Sequence, residues 1–299
     1  MRITVTGATG GVGKRLVRAA QEAGHEVVVL SRDAASAQAK LPGVQAHSWD
    51  PLAGPPPAAA LEGSDAVVNL AGESVAQRWS DEAKQRIHDS RVVGTRNLVA
   101  GIAASPTPPA VLVSGSALGF YGDVHSPIDE TAPRGEGFLA DVCVAWEAEA
   151  RAAEGAGVRV VLLRTGDVLM EGDGVVPVLA KIAKFGALGP LGSGKQPFPW
   201  IHVDDEVGLI LHAIGAEALH GPVNAAAPGI VTQGELAKAF GRLLRRPAFA
   251  PAPGFAVRLL RGEMAELILE GAHATPAAAQ RSGYAFRWPQ LEPALADVL

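Results

Sequence analysis

The feature that most constrains this chain is its opening. The strand-like run Ile3-Thr4-Val5-Thr6 enters the turn Gly7-Ala8-Thr9-Gly10-Gly11-Val12-Gly13 and leaves it as the helix-forming Lys14-Arg15-Leu16-Val17. Gly7, Gly10 and Gly13 together permit a tight turn, close approach of the backbone to a pyrophosphate, and close packing of helix on strand. The helix start adds free N–H groups and a partial positive charge. Glycine spacing alone is weak, but a strand before it, a helix after it and a second strand at Glu26–Leu30 make it specific for a dinucleotide. A P-loop is the competing phosphate binder. In the register ending at Gly13-Lys14, Ala8 stands where its first glycine belongs, and Arg15 where Ser or Thr should hold magnesium.

The rest of the first half repeats the alternation. Apolar runs at Val44–Trp49, Ala66–Leu70, Ala110–Ser114 and Val158–Arg164 are separated by helix-like Lys14–Ala23, Asp81–Ala104 and Glu136–Glu154. Strands alternating with helices imply an α/β fold of the Rossmann type, a doubly wound parallel sheet with helices on both faces. The first helix should end at Gly24, a natural left-handed C′ residue. After Gly166 the pattern is mixed. Asp204–Ile214 reads as helix, Val223–Ala226 as a last strand, and Thr232-Gln233-Gly234-Glu235 has capping-box spacing before a helix through Leu244. The expected division is a dinucleotide-binding domain over 1–167, to which 200–227 returns, and a smaller C-terminal substrate-side lobe formed by 168–199 and 228–299.

Composition narrows the partners. A net charge of -5 without basic runs gives no footprint for nucleic acid or an anionic membrane. Cys143 is the only cysteine, so no intrachain disulfide or cysteine zinc cluster forms. His202 beside Asp204 and Asp205 has no second histidine at ligand spacing, and no metal is expected. Met1-Arg2 leads directly into a strand and no apolar stretch reaches the roughly 18 residues of a membrane span, so a cytoplasmic protein is expected.

The end of the second strand speaks to the cofactor. Where an NAD site usually has an acidic residue for the ribose hydroxyl, Leu30 is followed by Ser31-Arg32, a hydroxyl and a guanidinium suited to a 2′-phosphate. This favours NADP(H). The alternative is a solvated Arg32, with Asp33 serving the ribose.

Further motifs give a family likeness. The sequence carries Asp65-Ala66-Val67-Val68-Asn69-Leu70-Ala71-Gly72-Glu73, Arg78-Trp79, Ser90-Arg91-Val92, Gly94-Thr95-Arg96-Asn97, Val113–Ser116 with Tyr121-Gly122, Trp146-Glu147, Arg164-Thr165-Gly166 and Trp200-Ile201-His202-Val203-Asp204-Asp205. In this order, and with the glycine turn, they resemble the extended, epimerase-like short-chain dehydrogenase/reductases. Within that superfamily they resemble an atypical subgroup, sometimes labelled cell-division inhibitors. The resemblance implies cofactor contacts from Thr6, Gly7, Thr9, Gly10, Gly11, Val12, Gly13, Ser31, Arg32, Asn69, Leu70, Ala71, Gly72 and Arg91. It puts Ser116 near the superfamily's catalytic serine. Active members also pair Tyr with Lys four residues later on one helix face, the lysine lowering the phenol's pKa. Neither Tyr121 nor Tyr284 has such a lysine. Alignment on Trp146-Glu147 puts Leu139 and Cys143 at those two positions.

Glu73, Arg78 and Trp79 follow the fourth strand, on the edge where open α/β sheets bind ligands. Arg78 and Trp79 could clamp an anionic or planar substrate, or form a surface stack. Arg164, ending a buried strand, is open between structural pairing and substrate contact. Gly192-Ser193-Gly194-Lys195 resembles a substrate loop and also reads as an exposed turn. The expected function is an NADP(H)-dependent oxidoreductase or epimerase-like enzyme for a small molecule, with Ser116 orienting the substrate and Tyr121 the first candidate proton donor. The rivals are a non-catalytic NADP(H)-binding regulator and, against the missing pair, a conventional sugar-nucleotide epimerase.

Overall fold

The computed structural model describes residues 1–186 and 188–299. Strand β1 (Arg2–Thr6), helix α1 (Gly11–Glu22), strand β2 (Glu26–Ser31), helix α2 (Ala34–Lys40) and strand β3 (Gln45–Ser48) build one half of a sheet. A short α3 (Ala58–Leu61) leads to β4 (Ala66–Asn69), the long α4 (Asp81–Ala103) and β5 (Val111–Ala117). Beyond them come β6 (Val124–Ile128), α5 (Phe138–Arg151) and β7 (Arg159–Thr165). The sheet has seven strands in the order β11-β7-β5-β4-β1-β2-β3, where β11 is Gly221–Ala225, and every pairing is parallel. The strand order reverses between β1 and β4. A crevice therefore opens beyond Thr6 and Asn69, where ligands bind in such sheets.

Helices on both faces explain why the strands read as continuous apolar runs. Val27 and Val29 point into one core with Ile3, Val5, Leu16 and Ile210, while Val28 and Leu30 point into the other with Val67, Leu98 and Leu112. Helix α1 buries Leu16, Val17 and Ala20 and gives way to Gly24 at φ +78°. Helix α5 is shorter than the expected Glu136–Glu154. Gly137 at φ +99° precedes its first turn, and after Arg151 the chain tightens into a 3-10 turn, Ala152–Ala156.

After β7 the chain adds β8 (Asp167–Leu169), α6 (Val175–Lys184), β9 (Pro197–Phe198), β10 (Trp200–His202) and α7 (Val203–Gly215) before β11. Then follow β12 (Val231–Thr232), α8 (Gln233–Leu244), α9 (Gly254–Arg261), α10 (Glu266–Leu269), β13 (Ala272–Ala274), α11 (Ala277–Arg281) and α12 (Leu291–Val298). Thr232 and Glu235 form the expected capping box on α8. Leu169, Val176, Trp200, Phe240 and Leu295 make a further core of their own. No apolar period announced α6, or the pairing of β13 with β6 and of β8 with β10. Among the described residues, no helix is long and apolar enough to cross a membrane.

Candidate cofactor and substrate site

The three glycines of the first turn have different tasks. A Cβ on Gly7 would lie 2.6 Å from the backbone of Leu70, and one on Gly13 would lie 2.3 Å from the Gly7 carbonyl oxygen. Those two are demanded by the fold. A Cβ on Gly10 would meet only the Gly7 oxygen, at 3.4 Å, so the backbone there faces open space. Gly10 is also the N-cap of α1 and brings no capping side chain, which leaves the first amides of α1 without a side-chain acceptor. Thr9 and Val12 are half-buried beside it. Over Gly11 comes the loop after β8, with Met170 Sδ and Asp173 Oδ2 each 2.6 Å from where a Cβ would stand.

At the end of β2, Asp33 Oδ1 accepts from the Ser36 amide and caps α2, while Ser31 Oγ accepts from the Asp33 amide. Asp33 is thus engaged in holding its own helix. Arg32 is exposed and, among the described residues, has no ion-pair partner.

A hydrogen-bonded chain ties the glycine turn to α5. Thr6 Oγ1 donates to Asn69 Oδ1 at 2.6 Å and accepts from the amides of Leu70 and Ala71; Asn69 Nδ2 and Trp146 Nε1 both donate to Thr95 Oγ1 at 2.9 Å. Arg91 donates to the carbonyls of Glu73 and Ile87 and lies 5.2 Å over the Trp146 ring. Its guanidinium carbon is 3.1 Å from where a Gly72 Cβ would stand, so Gly72 makes room for it. Burial pushes the Arg91 pKa down.

Beyond the ends of β5 and β7 lies a cavity of about 320 Å³, whose wall includes Ser116, Leu139, Cys143, Trp146, Asp167 and Gln196. Ser116 Oγ donates to Glu147 Oε1 at 2.7 Å. Glu147 in turn holds Arg164 in two parallel bonds, Nε to Oε1 at 2.7 Å and Nη2 to Oε2 at 2.8 Å. Arg164 Nη1 donates to the Tyr121 hydroxyl, which donates to Asn224 Oδ1, each at 2.8 Å. The Arg164 side chain is 4% exposed and its guanidinium carbon lies 3.4 Å from the Phe120 ring centre. Arg164 is therefore a structural ion pair, not a substrate contact. The expectation for Tyr121 is corrected too. Its hydroxyl is used up in the interior, it is absent from the cavity wall, and burial pushes its pKa up.

Trp79 also departs from expectation. Its indole is buried, donates to the Val75 carbonyl at 2.9 Å and meets the Phe138 ring edge-on at 5.2 Å, while Arg78 is exposed. No Arg78–Trp79 clamp forms, because the ring is spent on packing α4 against α5. Glu73 accepts from Gln77 at 3.1 Å and is not in the cavity wall. The turn Gly192–Lys195 leaves Lys195 exposed and delivers Gln196, which donates to the carbonyls of Leu191 and Ile268. His202 and Asp204 are joined by Asp297 from the last helix, with ligand atoms within 4.8 Å of one another. However, His202 Nδ1 already accepts from the Asp204 amide, while Nε2 lies 3.2 Å from Asp297 Oδ2 without making a hydrogen bond to it.

A family model described as the NAD dependent epimerase/dehydratase family matches residues 3–226. The chain belongs to that family. A second model, a domain of unknown function, DUF1731, matches residues 252–298. An Arabidopsis thaliana protein named "Epimerase family protein SDR39U1 homolog, chloroplastic" is 39% identical over 310 residues, covering 100% of this chain and 87% of the relative. The crystal structure of human epimerase family protein SDR39U1 (isoform 2), solved with NADPH, superposes with a TM-score of 0.88 at 34% identity, covering 100% of this chain and 99% of that one. MoeE5, solved with UDP-glucose and NAD, shares the fold at a TM-score of 0.80 and 21% identity, covering 100% of this chain and 97% of that one.

Leu139 and Cys143, the residues that the resemblance sets at the Tyr and Lys positions, both line the cavity. Leu139 is inert, and burial pushes the Cys143 thiol up to about 11, with Glu147 adding to the rise. Sequence reading passed over Glu147 as an ion-pair partner and over Asn224, Gln196 and Asp167. Of these only Asp167 left a signal, as the acidic residue directly after Arg164-Thr165-Gly166.

Proposed function

We propose that the protein is an NADP(H)-dependent oxidoreductase or epimerase-like enzyme for a small molecule. The dinucleotide lies across the crevice between β1 and β4, and the substrate fills the cavity against the lobe of 168–199 and 228–299. The observation that carries this reading is the open backbone at Gly10. Gly7 and Gly13 are fixed by contacts inside the fold, whereas Gly10 keeps space clear in front of an uncapped helix N-terminus, as a pyrophosphate needs. The amides of α1, with Thr9, Gly11 and Val12, hold the pyrophosphate. Ser31 and the unpartnered Arg32 take the 2′-phosphate, and Asn69–Gly72 with Arg91 line the crevice toward the nicotinamide. The NADPH in human SDR39U1 supports this choice of cofactor.

When bound, the cofactor supplies a hydride at the nicotinamide. Ser116, oriented by Glu147, presents its oxygen to the substrate, and Trp146 and Leu139 exclude water. Titration calorimetry with NADPH tests the reading. Wild-type protein should bind it, and Gly10→Val should fold, by circular dichroism and thermal melting, yet lose it. Undiminished NADPH affinity in a folded Gly10→Val protein overturns the reading.

A further inference from the structure

Twelve large apolar side chains are exposed among the described residues, and nine of them lie between Val178 and Leu267. Scattered singly they would need no explanation, but such a cluster marks a surface that something covers. Helix α6 buries Val176, Leu179 and Ala183 and turns Val178, Ile182 and the C-cap Phe185 outward at i, i+4, i+7 spacing. Helix α9 buries only Val257, so Phe255, Leu259 and Leu260 stand in solvent. Phe185, Phe249, Phe255, Leu259 and Leu260 are each 76–84% exposed.

The backbone brings the two helices to one region. The Ala250 amide donates to the Leu188 carbonyl at 3.2 Å, the Ala252 amide to that of Pro190 at 2.9 Å, and the Gly192 amide to that of Ala252 at 2.8 Å. A Cβ on Gly189 would lie 2.2 Å from the Ala250 carbonyl oxygen, so glycine there lets the two segments run side by side. Phe185 and Phe249 flank the start of this pairing, and α9 begins just past its end. Charge follows the same segments. Residues 174–199 and 240–262 hold eight lysines and arginines and no carboxylate, and from 240 to 262 every side chain is apolar or cationic. All eight are exposed, and among the described residues only Arg242 has an ion-pair partner, Glu292. Of the acids after α9, Glu263 is paired with Lys84, and Glu266 and Glu270 line the cavity. Because the whole chain carries -5, the rest of it is acidic and the charge is polarised toward this face.

We propose that this face docks the protein peripherally on an anionic lipid surface, with Phe185, Phe249, Phe255 and Leu259 in the headgroup region and the surrounding lysines and arginines over lipid phosphates. Exposed apolar side chains on short helices, with cations beside them, are the pattern of interfacial segments, and each cation near such a surface adds attraction. A second copy of the chain fits less well. A two-fold interface sets the patch on itself, so Lys181, Lys184, Arg258 and Arg261 would meet like charges. A shaped acidic protein would be held by directional hydrogen bonds across the interface, and 240–262 has no neutral polar side chain to make them. Composition hides this face because its cations come from two distant segments that only the fold joins. The docking is independent of the cofactor site.

Flotation of the full chain with vesicles of phosphatidylcholine alone, and of phosphatidylcholine with phosphatidylglycerol, tests the docking. Binding to the anionic vesicles should exceed binding to the neutral ones by about ten-fold or more, and should fall as salt is raised and exposed charges are screened. The variants Phe255→Ser/Leu259→Ser and Arg258→Glu/Arg261→Glu separate the apolar and cationic contributions. Both replace exposed side chains, so circular dichroism and thermal melting should match the wild type, while binding to anionic vesicles drops by about ten-fold or more in each. Equal binding to the two vesicle types, or either variant floating like the wild type, overturns the proposal. So does a wild type that stays off vesicles but is dimeric by light scattering and monomeric as Phe255→Ser/Leu259→Ser, which makes the face a contact between copies. Binding to soluble polyglutamate without binding to vesicles also overturns it and assigns an acidic protein partner.

Discussion

Glu206, in the first turn of α7, is 2% exposed; its Oε1 accepts from Thr165 Oγ1 at 2.9 Å and its Oε2 has no partner. An ionised carboxylate there would be poorly compensated, and burial pushes its pKa from 4.5 to about 8. The folded protein therefore keeps a proton that the unfolded chain gives up. This contribution to stability is complete below 4.5 and is lost as the pH rises through about 8. Glu206→Gln keeps an acceptor for Thr165 and removes the titration. Its melting temperature should fall less between pH 4.5 and about 8 than that of the wild type, with the two curves diverging toward the alkaline side. Parallel curves in a thermal-melt series would show that Glu206 does not carry the proton.

At the scale of elements, α5 gathers Leu139, Cys143, Trp146 and Glu147 at the i, i+4, i+7, i+8 spacing of a single face. That face was legible from the sequence. What it touches was not, because Arg164, Tyr121 and Asn224 come from β7, the turn after β5, and β11, brought together only by the parallel sheet. The same holds for Trp79, whose place in a surface-looking segment hid a ring that packs against α5. Removing one partner of a buried ion pair leaves the other charge uncompensated, at a cost of about 3–5 kcal/mol. Glu147→Gln should therefore destabilise the fold by an amount in that range, read as a lower denaturation midpoint in urea at unchanged slope. It also frees Ser116, so activity measured at temperatures where the variant is folded should fall as well. A Glu147→Gln protein as stable as wild type would mean that Arg164 is satisfied by Tyr121 and the Phe120 ring alone.

For the molecule as a whole, the parallel sheet was written in the alternation of apolar runs and helices, and the opening glycine turn marked where a dinucleotide would lie. The later segments were less legible. Strands β6, β8 and β13 are three to five residues long and gain their partners from far along the chain, so no local periodicity announces them. Cofactor binding should act on this entire assembly, because the crevice is closed by β1, β4 and α1 together and a ligand that binds only the folded form stabilises it by mass action. With Asp33 engaged in capping α2 and Arg32 unpartnered, a charge-assisted contact of roughly 1.5–3 kcal/mol should favour NADPH over NADH by about ten-fold or more. At equal ligand concentrations well above both dissociation constants, a ten-fold difference is about 1.4 kcal/mol of extra stability. In a protein of this size that corresponds to a melting temperature roughly 2 °C higher with NADPH than with NADH. Arg32→Ala should bring the two melting temperatures together by lowering the NADPH value, with the NADH value nearly unmoved. Equal shifts from the two cofactors in the wild type, or a gap that persists in Arg32→Ala, would remove Arg32 from the 2′-phosphate and reopen the choice between the two dinucleotides.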